Sequence, residues 1–122
     1  MPNILIVDDE PGIRESLKGV LEEEGFSATL AESGEACLDV LRKHSFDAVL
    51  LDVWLPKMDG LEVLRKLRSQ EKTRNIPVII LSNYDEEDLV ARGLRLGAHE
   101  YLIKARTTPA SLSEGIEDWL KE

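Results

Sequence analysis

The stretch DAVLLDVWLPKMDG, residues 47–60, opens with an apolar run, Ala48 to Leu51, that has no polar alternation. Such a run reads as a strand buried on both faces of a sheet. It ends in a carboxylate, Asp52, followed by Val53, Trp54 and Pro56. A core strand that delivers a charge to its end either finishes in an ordinary loop acid or contributes to a site. The neighbouring strand ends decide between the two.

Apolar runs alternate with helical patterns five times along the chain. ILIV (4–7) reads as a strand. Pro11 then opens a helix whose face is Ile13, Leu17, Val20 and Leu21, spaced i, i+4, i+7, i+8, and Gly25 stops it. FSATLA (26–31) alternates as an edge strand does. Ser33 caps a second helix with Ala36, Cys37, Val40 and Leu41 on one face. After AVLL (48–51) comes a helix with Leu61, Leu64 and Leu67. PVIIL (77–81) is the fourth strand. DEEDLVARGLRLG (85–97) is a helix with acids at its start and Gly97 at its end. EYLI (100–103) is a short fifth strand. Thr108 and Pro109 start a last helix that buries Leu112, Ile116, Trp119 and Leu120. Five β-α units predict an α/β fold with one parallel sheet and helices on both faces. With residues 4–7 central and 26–31 at an edge, right-handed crossovers favour the strand order 2-1-3-4-5.

The totals agree. A chain of 122 residues with 43% hydrophobic content is long and apolar enough for one domain with its own core. Aromatics are only 5%, so the core is aliphatic. A net charge of −9 repels phosphate backbones and argues against direct nucleic-acid binding. The lone Cys37 has no internal disulfide partner and reads as a buried thiol in a reducing, cytoplasmic setting. No apolar run approaches a membrane span, and the acidic start MPNILIVDDE does not read as a signal peptide.

In doubly wound sheets ligands bind at the carboxyl ends of the strands, where the order reverses. Here that point lies between strands 1 and 3. Asp8 and Asp9 end the first and Asp52 ends the other. Crowded carboxylates raise at least one pKa, and a hard cation such as Mg²⁺ relieves the repulsion. A single acid at a helix start is usually only a cap, but a third acid at the neighbouring strand end is not explained that way. Ser82 ends the fourth strand and Lys104 follows the fifth. A carboxylate, a metal, a hydroxyl and an ammonium on one rim suit phosphoryl transfer.

Taken together, ILIVDDEPGIRESL, AVLLDVWLPKMDGLEVLRKLR and IPVIILSNYDEEDLVARGLRLGAHEYLIKA resemble the receiver domain of bacterial two-component response regulators. The resemblance covers nearly the whole chain, 1–122. It implies the flavodoxin-like doubly wound fold, and a phosphoprotein in which Asp52 takes a phosphoryl group from a histidine kinase or phosphotransfer protein. It further implies that Asp9, Asp52 and the main-chain carbonyl of Val53 hold Mg²⁺, with Asp8 acting through water. Ser82 would contact the phosphoryl group, Tyr101 would swing inward behind it, and Lys104 would pair with its oxygens. Such a domain is a switch that catalyses its own phosphorylation and dephosphorylation and acts through a downstream protein or fused output domain. Whether it dimerises on phosphorylation stays open. Pro56 would stiffen the loop after Asp52, and Gly60 would let the chain enter the next helix.

Two positions depart from the family pattern. Ala105 stands where proline in a cis bond is usual, and a non-proline cis bond costs about 3 kcal/mol, so the Lys104–Ala105 bond is expected to be trans. Asn83 stands where a small residue is favoured, and with Trp54 and Tyr84 it would form the pocket rim and restrict hydrolytic water. The alternatives are an aspartyl-phosphate-type hydrolase, a receiver that binds partners without phosphorylation, and a flavin or nucleotide carrier. The first lacks Asp-x-Asp at its strand end and has no room for a cap domain. The third lacks a glycine-rich phosphate cradle after strand 1.

Overall fold

The computed structural model describes residues 2–55 and 57–121, the side chain of Pro109 excepted. The expected stiffening role of Pro56 lies outside the described residues. The elements run β1 (Asn3–Val7), α1 (Pro11–Glu23), β2 (Ser27–Ala31), α2 (Gly34–Lys43), β3 (Ala48–Leu51), α3 (Gly60–Arg68), β4 (Val78–Ser82), α4 (Glu87–Arg95), β5 (Glu100–Ile103) and α5 (Pro109–Leu120). The five strands form one parallel sheet in the order β2-β1-β3-β4-β5.

The parity of the strand residues divides the core into two clusters, one on each sheet face. Leu5, Val7, Val49, Leu51, Val78 and Ile80 pack with Cys37 and Leu41 of α2 and Leu61, Leu64 and Leu67 of α3. Ile4, Ile6, Ala48, Leu50 and Ile79 pack with Leu21 of α1 and Leu112 and Ile116 of α5. Both parities of β3 are apolar because both faces are covered, which is why residues 48–51 show no alternation. Cys37 is fully buried, and burial pushes its thiol up to about 12. It is a packing residue, not a nucleophile.

Helix ends follow their sequence signals. The Ser33 side chain accepts from Ala36 N at 3.1 Å, Asp59 accepts from Glu62 N at 2.9 Å, and Thr108 accepts from Ser111 N at 3.1 Å. α1 ends with Gly25 at φ +92°, where Phe26 N donates to Leu21 O at 2.9 Å. β4 ends at Ser82 as expected, its pairing with β5 continuing to Ser82↔Ile103. The differences from expectation lie at α4 and just after β5. α4 starts at Glu87, not at Asp85, and its N-cap Glu86 makes no side-chain cap bond. Lys104–Arg106 form an unforeseen 3₁₀ turn, closed by Thr107 N to Lys104 O at 3.2 Å and by Thr107 Oγ1 to Ile103 O at 2.8 Å. The described residues contain no cis peptide bond, so Lys104–Ala105 is trans.

Gly60 has a sharper reason than easy entry into α3. A Cβ there would overlap the carbonyl oxygen of Asp52 and lie 2.8 Å from Val53 Cα. Gly19, by contrast, is exposed in the middle of α1 with nothing within 4 Å of its Cβ position. Gly60→Ala should therefore destabilise by roughly 2–3 kcal/mol through overpacking against backbone. Gly19→Ala should stabilise by roughly 0.5–1 kcal/mol through helix propensity. Urea unfolding of the two variants checks the pair, and equal midpoints would contradict the close approach at Gly60.

Candidate acidic site at the strand ends

β1 and β3 lie side by side with Val7 opposite Leu51, so Asp8 and Asp52, one step further, leave the sheet as neighbours. The main chain carries the ladder through this point. Asp8 N donates to Ala31 O at 3.1 Å and Asp52 N donates to Val7 O at 3.0 Å. Both carboxylates are buried, with residue exposures of 2% and 6%. Lys104 reaches them from the end of β5, two strands away from β3. Its Nζ donates to Asp8 Oδ2 at 2.7 Å and lies 3.5 Å from Asp52 Oδ2.

This contact sets the electrostatics. Burial raises the Asp52 pKa, and the Asp8 charge adds to the rise; Lys104 and the main-chain N–H groups of Trp54 and Val53 oppose it. Burial alone would pull Lys104 down. The hydrogen bond to Asp8 and the charges of Asp52, Asp8 and Glu10 outweigh that and leave its pKa raised. The ammonium therefore stays charged between two acids whose desolvation would otherwise be costly.

Asp8, Asp9 and Glu10 place carboxylate oxygens within 4.8 Å of one another, with Asp8 buried and the other two exposed. An all-carboxylate set of this kind suits Mg²⁺, which takes oxygen donors and keeps waters. Glu10 is not singled out by the sequence; its one signal is its place directly after Asp8 and Asp9. It heads α1 without a side-chain cap bond, and Glu10 N donates to Asp8 Oδ1 at 3.0 Å. Arg14, also unforeseen, donates from Nη1 to Asp8 O at 2.7 Å and ties the first turn of α1 to the strand end. The Val53 carbonyl accepts Gly60 N at 2.6 Å, so one of its lone pairs faces the start of α3.

An open cleft of about 380 Å³ exposes this chemistry, lined by Asp9, Asp52, Trp54, Asn83, Tyr84 and Lys104. Trp54 and Tyr84 are 58% and 41% exposed, and their ring centroids stand 5.4 Å apart at 54°. They are thus in contact across the rim, linking the loop after β3 to the loop after β4. Asn83 is exposed beside them. Ser82 is fully buried and does not line this cleft; its Oγ accepts Tyr84 N at 3.1 Å. Tyr101 is half-buried, and its hydroxyl donates to Tyr84 O at 2.7 Å. Burial raises the Tyr101 pKa, only partly offset by the Ser82 hydroxyl nearby. Both main-chain groups of Tyr84 are thus held by residues expected to act in switching.

The model of the response regulator receiver domain family matches residues 4–117. The response regulator MprA of Mycobacterium sp. (strain KMS) is 43% identical over 101 residues, which is 83% of this chain and 43% of that protein. The chain thus spans less than half the length of the curated relatives it matches. The receiver domain of the Francisella response regulator 1452 superposes with a TM-score of 0.92 at 31% identity, covering 99% of this chain and 98% of that one. The receiver domain of the sensor histidine kinase PA1611 from Pseudomonas aeruginosa PAO1, solved with a magnesium ion coordinated in the active site cleft, superposes with a TM-score of 0.90 at 28% identity, covering 99% and 98%. With its acidic strand ends, its strand order and these matches, the chain belongs to the response regulator receiver domains, the signalling switches of two-component systems.

Proposed function

We propose that residues 1–122 form one receiver domain in which Asp52 accepts a phosphoryl group from the phosphohistidine of a sensor kinase or phosphotransfer protein. The observation that carries this is a buried carboxylate at the end of a central strand, 3.5 Å from a lysine and opening on a cleft. An Asp52 carboxylate oxygen attacks phosphorus, the P–O bond forms, the P–N bond breaks with its electron pair going to nitrogen, and the imidazole, already protonated on its other ring nitrogen, leaves neutral. Lys104 and the N–H groups of Val53 and Trp54 favour the ionised, nucleophilic form of Asp52 against its burial. Once the acyl phosphate exists, Lys104 is the cation available to its oxygens, at the cost of its contact with Asp8. Ser82, buried behind the cleft, reaches the phosphoryl group by turning its hydroxyl from the Tyr84 amide.

Asp8, Asp9 and Asp52 have the donor chemistry for Mg²⁺; the carboxylates whose oxygens lie within 4.8 Å of one another are Asp8, Asp9 and Glu10, and Asp52 is not among them. The main-chain ligand would be the Val53 carbonyl, which also accepts Gly60 N. When bound, the ion supplies positive charge that offsets the phosphoryl oxygens and the crowded acids. The same site serves the later loss of the phosphoryl group by self-catalysed hydrolysis: water attacks phosphorus, the P–O bond to Asp52 breaks and inorganic phosphate leaves, with access of water limited by Trp54, Asn83 and Tyr84. The proposed setting is cytoplasmic, with a histidine kinase upstream and a partner protein or attached output domain downstream. No described helix is long and apolar enough to cross a membrane.

Incubation with Mg²⁺ and acetyl phosphate should add one base-labile phosphoryl group to the wild type and none to Asp52→Asn. Intact-mass spectrometry reads the result, and equal labelling of both proteins would move the acceptor elsewhere.

Stability gives an independent check. A pKa raised on folding means that the ionised Asp52 destabilises the fold above that pKa and costs nothing once both folded and unfolded forms are protonated. Asp52→Asn should therefore raise the Tm at neutral pH by roughly 3–5 °C, about 1 kcal/mol, with the gain shrinking as the pH falls through the carboxylate range. Mg²⁺ should stabilise the wild type, by about 2.7 kcal/mol at a hundred times Kd, and Asp52→Asn less. A wild-type melt indifferent to millimolar Mg²⁺ counts against the cation site.

Trp54 should report on the cleft. Mg²⁺ or beryllofluoride should change its emission, Trp119 on α5 should stay nearly silent, and Trp54→Phe should remove the signal. Trp54→Ala or Asn83→Ala should shorten the acyl-phosphate lifetime, followed by loss of the phosphorylated mass with time. Unchanged lifetimes in both would make these residues bystanders.

A further inference from the structure

α4 is held very differently at its two ends. At its start, Glu86 makes no side-chain cap, residues 83–88 are exposed, and Asp85 pairs with Arg106 at 3.3 Å, an exposed pair of little strength. At its end, Gly97 takes φ +106°, Gly97 N donates to Leu94 O and Ala98 N to Gly93 O, both at 3.1 Å, and His99 N continues into Val78 O at 2.8 Å. These bonds are the double closure of a glycine-terminated helix. Gly93 lies tight on the sheet, since a Cβ there would be 2.8 Å from Ile80 Cδ1 and 3.2 Å from Tyr101 Cδ2.

Arg68, the last residue of α3, adds a clamp that the phosphoryl chemistry does not use. Its Nε and Nη2 both donate to Gly97 O, at 3.1 and 2.8 Å, and its Nη1 donates to Thr73 O and Arg74 O, each at 3.2 Å. The guanidinium is half-buried, and among the described residues it forms no ion pair; burial alone lowers its pKa. A charge desolvated against carbonyls alone is held there for geometry. A lysine cannot replace it, because a single ammonium does not present the same planar fork.

We propose that Arg68 is a positioning residue that fixes the C-terminal end of α4 as a pivot, so that changes in the Asp52 cleft move only the N-terminal end. The path into that end is short. Ser82 Oγ and Tyr101 Oη hold the amide and carbonyl of Tyr84, whose ring touches Trp54, and Glu86, at the start of α4, follows two residues later. The clamp stands on its own geometry, whereas the movement rests on the reading of Asp52 as the phosphoryl site.

Hydrogen exchange of the full chain, read by NMR at single amides, tests both halves. Without ligand, Arg68→Lys should speed exchange at Gly97 and Ala98 by roughly tenfold or more, with α1 and β1 unchanged. Arg68→Gln should do the same, and it serves if Arg68→Lys folds poorly. Wild-type rates at these amides in a folded variant would overturn the clamp. With Mg²⁺ and beryllofluoride, wild-type exchange should change at 83–90 and not at 96–98, and Arg68→Lys should spread the change to 96–98. Equal change at both ends of the wild-type helix would overturn the pivot. Fluorine NMR reports bound beryllofluoride separately. Binding without any change at 83–90 overturns the movement while leaving Asp52 as the site. Absence of binding overturns the Asp52 reading and the movement together, and the ligand-free comparison still decides the clamp.

Discussion

Two carboxylates leave the middle of the sheet side by side, and one lysine makes that tolerable. Asp8 and Asp52 are both nearly inaccessible, and their strands are paired in register, so neither can withdraw without breaking the ladder. Repulsion and desolvation act on the same pair of groups, and Lys104, 2.7 Å from one and 3.5 Å from the other, offsets both. The neighbouring strand end, Ser82, is fully buried and carries no charge, so the counter-charge comes from the end of β5. The order of the strands is thus what gives the acids their counter-charge.

Much of this was legible in the chain. An unalternating run at residues 48–51 announces a strand covered on both faces, and the five-fold repetition of run and helix limits the topology to a few choices. Helix boundaries were readable where the signal is chemical, as at Ser33, Asp59 and Thr108. They were less so at α4, where acids at 85 and 86 favour a helix start, yet the Tyr84 main chain is already committed to Ser82 and Tyr101. Local propensity lost there to a turn contact at Ser82 and a tertiary contact from Tyr101 on the neighbouring strand.

The site divides in the same way. That Asp8, Asp52 and Lys104 share a strand-end rim follows from counting residues along each strand. That Lys104 binds Asp8 more closely than Asp52 does not, because it depends on how the 3₁₀ turn at Lys104–Arg106 aims the side chain. Nor does the burial of Ser82, which depends on one further step of β4–β5 pairing. Gly60 and Arg68 were both present in the sequence without a signal for what they do. Gly60 is required by the approach of the Asp52 carbonyl, and Arg68 by carbonyls of two different loops. Contacts of that kind have no period and leave no pattern to read.

The position of Lys104 has a consequence for how such a site can switch. An ammonium between two acids is stable only while its surroundings stay as they are. A phosphoryl group on Asp52 brings stronger acceptors and more negative charge than the carboxylate it replaces, so it competes with Asp8 for the same cation. A cation held by Asp8, Asp9 and Glu10 would take over the charge that Lys104 had been offsetting and release it for that competition. Toward the Tyr84 amide the Ser82 hydroxyl is only an acceptor, so donating its own proton to a phosphoryl oxygen would reorient that bond rather than compete with it, and the Tyr101 hydroxyl donates to the Tyr84 carbonyl. On the proposed reading of Asp52, the cleft would couple an exchange of charge partner at Lys104 to the hydrogen bonds at Tyr84. A change at Tyr84 would then act on the loosely held start of α4, because the far end of that helix is tied down by Arg68 and the Gly97 closure.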